Sequence, residues 1–190
     1  MPESIRTFIA VKIDPEPELL NLINHLQVEF SEEKIKWVGD SNLHLTLKFL
    51  GDTSPVQVDL VKTILKETGE NFTSFQFNLK GVGFFKRNRQ PNVLFVNIER
   101  PEILKKLAAE IDVKLSELGF EKEQREFNPH LTLGRIKYLK NKPRFYKTIE
   151  TCKSNFIQHV KISEVIYYQS ILKPGGAEYK SIAKIRLKSR

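Results

Sequence analysis

Two tetrapeptides, His44-Leu45-Thr46-Leu47 and His130-Leu131-Thr132-Leu133, hold the residue types in this chain best suited to chemistry. Both lie in segments that read as strands, Leu43 to Leu50 and Leu131 to Ile136, bounded by turn residues. Side chains alternate along a strand, so His44 and Thr46 share one face while Leu45 and Leu47 share the other, and the second copy repeats this with His130 and Thr132. One face is core and the other is free for chemistry. With 21 leucines and 9 threonines in 190 residues, a given histidine would be followed by Leu-Thr-Leu roughly once in two thousand times. Here it happens behind two of the four histidines. A duplicated structural strand would repeat as well, and that is the competing reading.

An imidazole titrates near pH 6.5 (about its unperturbed pKa), so a pair can deprotonate an attacking water and protonate a departing oxygen at once. A threonine two residues on, facing the same way, can donate to a nonbridging phosphate oxygen and stabilise charge developing there. The inventory suits a phosphodiester. Other chemistries lack parts: there is no Gly-x-Ser-x-Gly elbow, no His-x-His or His-Glu-x-x-His, no Asp-rich cluster and no Walker-type loop. Neither a metal nor a nucleotide cofactor is therefore expected. Cys152 is the lone cysteine and reads as a structural thiol, which fits a reducing cytoplasm.

Several elements must position these strands. Apolar periodicity marks helices over Glu16 to Phe30, Pro55 to Glu67 and Pro101 to Leu118, the last stopped by Gly119. Further strands are expected at Arg6 to Ile13, Ser74 to Lys80, Val93 to Ile98, Val160 to Leu172 and Tyr179 to Leu187. The order strand, Pro-led helix, His-Leu-Thr-Leu strand occurs twice, at an offset of 86 residues between His44 and His130; the same offset carries Ile9 onto Phe95 and Ala10 onto Val96. The expected fold is α+β: one domain, residues 1–190, of two similar lobes related by a pseudo-twofold and facing each other across a cleft.

Composition agrees with a soluble globular chain, at 40% hydrophobic and 28% charged residues. The longest apolar runs are four residues, too short to span a bilayer, and Glu3, Arg6 and Lys12 interrupt the only N-terminal apolar stretch, so neither membrane insertion nor export is expected. A formal net charge of +8 and a pI near 9.5 favour a polyanionic partner, RNA or DNA before a membrane. Trp37, Phe49, Phe84 and Phe85 are candidates for stacking on a base, against the commoner role of aromatics as core. Lys48 continues the His44 and Thr46 face by strict alternation, where it could touch phosphate or stand as a solvated edge lysine. Lys86, Arg87 and Arg89, with Lys140, Lys142, Arg144 and Lys147, read as basic loops that could track an RNA backbone.

Taken with their flanks, these residues resemble the two-histidine (2H) phosphoesterase superfamily, and within it the RNA 2′,3′-cyclic phosphodiesterases, historically the 2′-5′ RNA ligase family. The resemblance rests on Ile5 to Val11, on Trp37-Val38 with Asn42 to Gly51, on Phe127 to Arg135, and on Ser170 through Gly176 to Tyr179. It implies a bilobal fold with antiparallel sheets lining a central cleft and helices outside, and hydrolysis of a terminal 2′,3′-cyclic phosphate on RNA to a 2′-phosphate. It further implies His44 as proton donor to the leaving oxygen and His130 as the base that activates water, roles that the near-equivalent repeats do not assign by themselves. Arg135 matches an arginine often found after the second motif, where it would bind phosphate or nucleotide. Strict alternation from His130 would put Arg135 on the wrong face unless a strand end or a bulge turns it back, for which Gly134 is a natural cause. Gly134 itself departs from the resemblance, the family more often carrying a bulkier residue there. The expected protein is a monomeric, metal-independent enzyme acting on RNA ends. Rival readings keep the site but change the substrate to a small cyclic nucleotide or reverse the reaction to 2′-5′ joining, or make the chain an RNA-binding module without catalysis.

Overall fold

The computed structural model describes residues 4–174 and 176–189. Its elements run β1 (Ile5–Lys12), α1 (Pro17–Glu29), β2 (Lys34–Trp37), a single 3₁₀ turn (Asp40–Asn42), β3 (His44–Thr53), α2 (Pro55–Asn71), β4 (Phe75–Arg87), β5 (Gln90–Glu99), α3 (Glu102–Ser116), β6 (His130–Tyr138), α4 (Lys142–Thr151), β7 (Phe156–Ile162), β8 (Glu164–Lys173) and β9 (Gly176–Arg186). None of the described helices is long and apolar enough to cross a membrane.

Local chemistry accounts for the helix ends. Ser54, as N-cap, and Gln57 form a capping box around Pro55 that starts α2. Gly119, with φ of +83°, lets the chain turn after α3 while the Phe120 amide donates to the Leu115 carbonyl. Helix α4 falls in the segment read from sequence as a basic loop. It buries only Phe145, Thr148 and Ile149, and its cap, the Asn141 side chain accepting from the Arg144 amide at 3.0 Å, has no acidic first turn to announce it. The expected strand over Val160 to Leu172 is two strands: the chain turns at Ser163, sending β7 into one sheet and β8 into the other. Both pieces are rich in β-branched and aromatic residues, so composition reads straight through the break, which only the adjacent polar pair Ser163-Glu164 marks.

All named strand pairings are antiparallel, in a four-stranded sheet ordered β3-β1-β8-β9 and a five-stranded sheet ordered β2-β6-β5-β4-β7. Setting β2 aside, the two orders correspond strand for strand, which is the pseudo-twofold expected from the repeat. The correspondence does not follow the halves of the chain. The sheet of β1 and β3 takes β8 and β9 from the C-terminal half, and the sheet of β5 and β6 takes β2 and β4 from the N-terminal half. A single hydrophobic cluster draws on α1 (Leu19, Ile23, Leu26), α2 (Val61, Leu65), α3 (Leu104, Leu107, Ile111) and the inner faces of both sheets. At about 1.5–3 kcal/mol per fully buried aliphatic or aromatic side chain, this burial is the main favourable contribution to the fold.

One register expectation is corrected. Ala10 pairs with Thr46 on β3, whereas Phe95 pairs with Thr132 on β6, so the offset between β1 and β5 is 85 residues and not the 86 that relates the motifs. The helix and loop between strand and motif are one residue longer in the second copy, and hydrogen-bond register overrides sequence alignment.

Candidate active site

Strands β3 and β6 approach each other where the two sheets meet. The link is covalent as well as spatial: β2 pairs with β6, the Val38 amide donates to the Leu133 carbonyl at 2.8 Å, and the chain then passes through the Asp40–Asn42 turn directly into His44. The second motif thus borders the segment that introduces the first. On both strands the histidine and threonine face away from the core, half-buried, while Leu45, Leu47, Leu131 and Leu133 are buried.

The same irregularity follows both motifs. Thr46 pairs with Ala10 but Lys48 pairs with Ile9, leaving Leu47 as an extra residue; Thr132 pairs with Phe95 but Gly134 pairs with Leu94, leaving Leu133 extra. A bulge puts two successive side chains on one side and inverts the alternation beyond it. The expectation for Lys48 is therefore overturned. Lys48 is turned off the His44 face and buried, its ammonium bonded to the Asp112 carboxylate of α3 and, at 2.8 Å, to the Glu121 carbonyl. Phe49 takes the place on the His44 face, 67% exposed and 6.0 Å ring to ring from Phe8. In the second copy the bulge has the opposite consequence: Arg135 is returned to the His130 face and exposed. Gly134, at the position of Lys48, is buried where a Cβ would lie 2.8 Å from Ile35 Cγ2, so glycine is what lets β2 close on β6.

Both imidazoles are anchored alike. His44 Nδ1 lies 2.6 Å from the Asn42 carbonyl and His130 Nδ1 lies 2.8 Å from the Asn128 carbonyl. A carbonyl only accepts, so each Nδ1 carries the proton and donates it, leaving each Nε2 with a lone pair for chemistry. Aromatic rings wall both: Phe8 at 5.2 Å and Tyr179 edge-on at 5.1 Å for His44, Phe85 edge-on at 4.7 Å and Phe95 at 5.4 Å for His130. Burial among these rings pushes both pKa values below the ordinary histidine value, against the opposing pull of the backbone carbonyls. Only His130 has a further push downward, from the Arg135 guanidinium. Both rings are consequently biased neutral, His130 by a cation as well as by desolvation. Among the described residues neither the Thr46 nor the Thr132 hydroxyl has a hydrogen-bond partner, so both are free to donate.

The remaining expectations divide. Of the four aromatics singled out for stacking, Phe49 and Phe85 lie on the motif faces, Phe84 packs on Phe145 at 5.3 Å on the other side of β4, and Trp37 packs beside Gly134. Sequence reasoning did not find Phe8, Phe95 or Tyr168 as site residues. They reach the site by cross-strand register, which neighbours in sequence do not reveal. A small cavity of about 40 Å³ borders His44, lined by Ser41, Asn42, Leu43, Tyr168 and Tyr179. A larger one of about 400 Å³ lies at the Ser74–Gln76 end of β4 and touches neither histidine, so size does not mark the chemistry here. Among the described residues no group of three or more His, Cys, Asp or Glu side chains could hold a metal ion.

Comparison with known proteins agrees with this geometry. A Thermotoga maritima protein named RNA 2′,3′-cyclic phosphodiesterase is 35% identical over 182 residues, covering 93% of this chain and 92% of its own. A Thermus thermophilus crystal structure superposes with a TM-score of 0.80 at 23% identity over 97% of this chain and 99% of its own. The E. coli LigT structure in complex with 3′-AMP superposes with a TM-score of 0.77 at 24% identity, covering 97% and 99% of the two chains. The family model for LigT-like phosphoesterases matches twice, at residues 11–95 and 96–179, one match for each histidine motif. The internal repeat is therefore the family's own, and this chain belongs to the LigT-like phosphoesterase family.

Proposed function

We propose that this chain, as one domain of two facing lobes, hydrolyses terminal 2′,3′-cyclic phosphates of RNA to 2′-phosphates without metal or nucleotide cofactor. The observation that carries the reading is the duplicated anchoring of His44 and His130, each held through Nδ1 with its Nε2 left free. Water attacks phosphorus while His130 Nε2 takes its proton; the bond from phosphorus to the 3′ oxygen breaks as His44 Nε2 delivers a proton to that oxygen. Thr46 and Thr132 donate to the nonbridging oxygens as charge builds on them. Arg135 adds a cation on the His130 side and Phe49 an exposed ring on the His44 side, positions suited to phosphate and base.

The assignment of roles is supported by an asymmetry between the copies, the guanidinium beside His130 alone. A bound phosphate monoanion raises both imidazole pKa values, and the histidine without a guanidinium neighbour is the one to take up the proton. That makes His44 the acid and His130 the base. The relatives' printed names and the nucleotide held by E. coli LigT support an RNA or nucleotide substrate. Both histidines come from one chain, which supports a monomeric working unit, and the buried, lone Cys152 suits a reducing cytoplasm.

The test is incubation with a short RNA ending in 2′,3′-cyclic phosphate, in EDTA and without ATP, with products read by phosphorus NMR. A 2′-phosphate is expected, and His44→Ala and His130→Ala should each lose about 10²–10⁴-fold in turnover while staying folded. A 3′-phosphate would overturn the assignment of the leaving oxygen; full turnover in either variant would overturn the mechanism.

A further inference from the structure

We propose that the cleft face of β6 and β2 beyond Thr132 is a tract for single-stranded RNA, holding the nucleotides that lie 5′ of the cyclic end; this rests on the hydrolytic reading above. The bulge at Leu133 brings Arg135 to the His130 face, and Lys36 of β2 pairs directly opposite it. Lys34 is two residues from Lys36 and so shares that face. A second register shift leaves Lys137 extra between Ile136 and Tyr138, which turns Lys137 and Tyr138 outward together, both exposed. Four cations and one tyrosine, itself 60% exposed, therefore continue the line of His130 and Thr132. From Thr132 to Tyr138 that line is about 20 Å long at ~3.4 Å per residue, room for several phosphates.

Nothing described in the protein neutralises these cations. Among the described residues none of Lys34, Lys36, Arg135 or Lys137 is in an ion pair, although the chain forms eleven elsewhere. The nearest acids in sequence, Glu32 and Glu33, are occupied by the Lys140 ammonium and by the amides of Lys140 and Asn141. Like charges directly opposite each other weaken a strand pair, so Lys36 facing Arg135 is a cost that an anion between them removes. Lysines on an edge strand also discourage pairing with another chain, but that role does not call for Arg135, Lys137 and an exposed Tyr138 on the inner strand β6. The Lys36 side chain reaches to within 3.7 Å of where a Cβ on Gly176 would stand, so the tract begins where the β8–β9 hairpin meets the second sheet.

The experiment compares 2′,3′-cyclic AMP with a 5′-fluorescein-labelled decaadenylate ending in 2′,3′-cyclic phosphate, from 50 to 200 mM KCl. Phosphate contacts from Lys34, Lys36 and Lys137 give a salt slope of about 2 for a single strand, so kcat/KM on the decamer should fall about 16-fold more than on the mononucleotide. The K34A/K36A/K137A variant should lose that difference and lower the decamer-to-mononucleotide ratio about tenfold. Tyr138→Ala should lower the ratio about fivefold or more, with Tyr138→Phe restoring it. Equal salt dependence for the two substrates in the wild type, or an unchanged ratio in these variants, would overturn the tract while leaving hydrolysis standing. Anisotropy of the same RNA on His130→Ala reads the tract without turnover. Salt-steep binding there, lost in the triple lysine background, would keep the tract even if the wild type hydrolysed neither substrate, an outcome that would overturn the proposed function instead.

Discussion

Lys48→Met separates two roles that a lysine beside a catalytic motif can have. If Lys48 met phosphate from the His44 face, the substitution would cost turnover and leave stability alone. In the structure its side chain is only 6% exposed and its ammonium is shared by Asp112, whose side chain is 14% exposed, and the Glu121 carbonyl. Asp112 also accepts from the Glu123 amide at 3.1 Å. Removing the ammonium strands a buried carboxylate and frees the start of the segment that leads into His130. Loss of one partner of a buried pair costs about 3–5 kcal/mol, so with a urea slope of about 2–3 kcal/mol/M the unfolding midpoint should fall by more than about 1 M. The double variant Lys48→Met/Asp112→Leu should recover most of it, because removing both charges removes the stranded one. Urea titration followed by circular dichroism measures this. A midpoint within about 0.3 M of wild type for Lys48→Met, about 1 kcal/mol or less at that slope, would refute the buried-pair account.

Arg135→Met removes one of the causes holding the His130 pKa down, so the acid limb of kcat/KM should move to higher pH as that base protonates more readily; a pH–rate profile in which the limb stays or moves down would contradict the pairing. Thr46→Val and Thr132→Val should each lower kcat by about 10²–10³-fold with little change in melting temperature, read by steady-state kinetics beside a thermal melt. Stability should depend on pH through the same histidines. Both folded pKa values lie below the unfolded value of about 6.5, so the unfolded chain binds more protons, and stability should drop as pH falls below about 6.5 and level off beneath the folded pKa values. Urea midpoints at pH 7.5 and 5.5 test this, and the His44→Ala/His130→Ala double variant should show a shallower drop than wild type.

The motif faces, the repeat, the three apolar helices and the basic balance were all readable in the chain, because each is a matter of residue type at a fixed period. So was the pairing of two imidazoles with two hydroxyls. The partition of strands between sheets was not readable: residues 156–173 are β-prone throughout, and the polar pair Ser163-Glu164 that interrupts the apolar pattern does not say that the chain changes sheets there. Helix α4 was hidden by its charge, burying three residues where α3 buries five.

At the site itself, sequence determined the identity of the two histidines and two threonines and the faces they share, since alternation over three residues needs no tertiary context. Past the fourth residue of either motif it could not choose: alternation placed Lys48 on the His44 face, and the place of Arg135 was left to a strand end or a bulge. One extra residue at Leu47 and one at Leu133 invert the alternation, burying Lys48 and exposing Phe49 in the first copy while burying Gly134 and exposing Arg135 in the second. A bulge is a property of how a strand pairs with its neighbour, and the neighbours, β1 and β5, lie more than thirty residues away in the chain. Only the assembled sheets decide it, and with it which cation faces the substrate and which one holds the core.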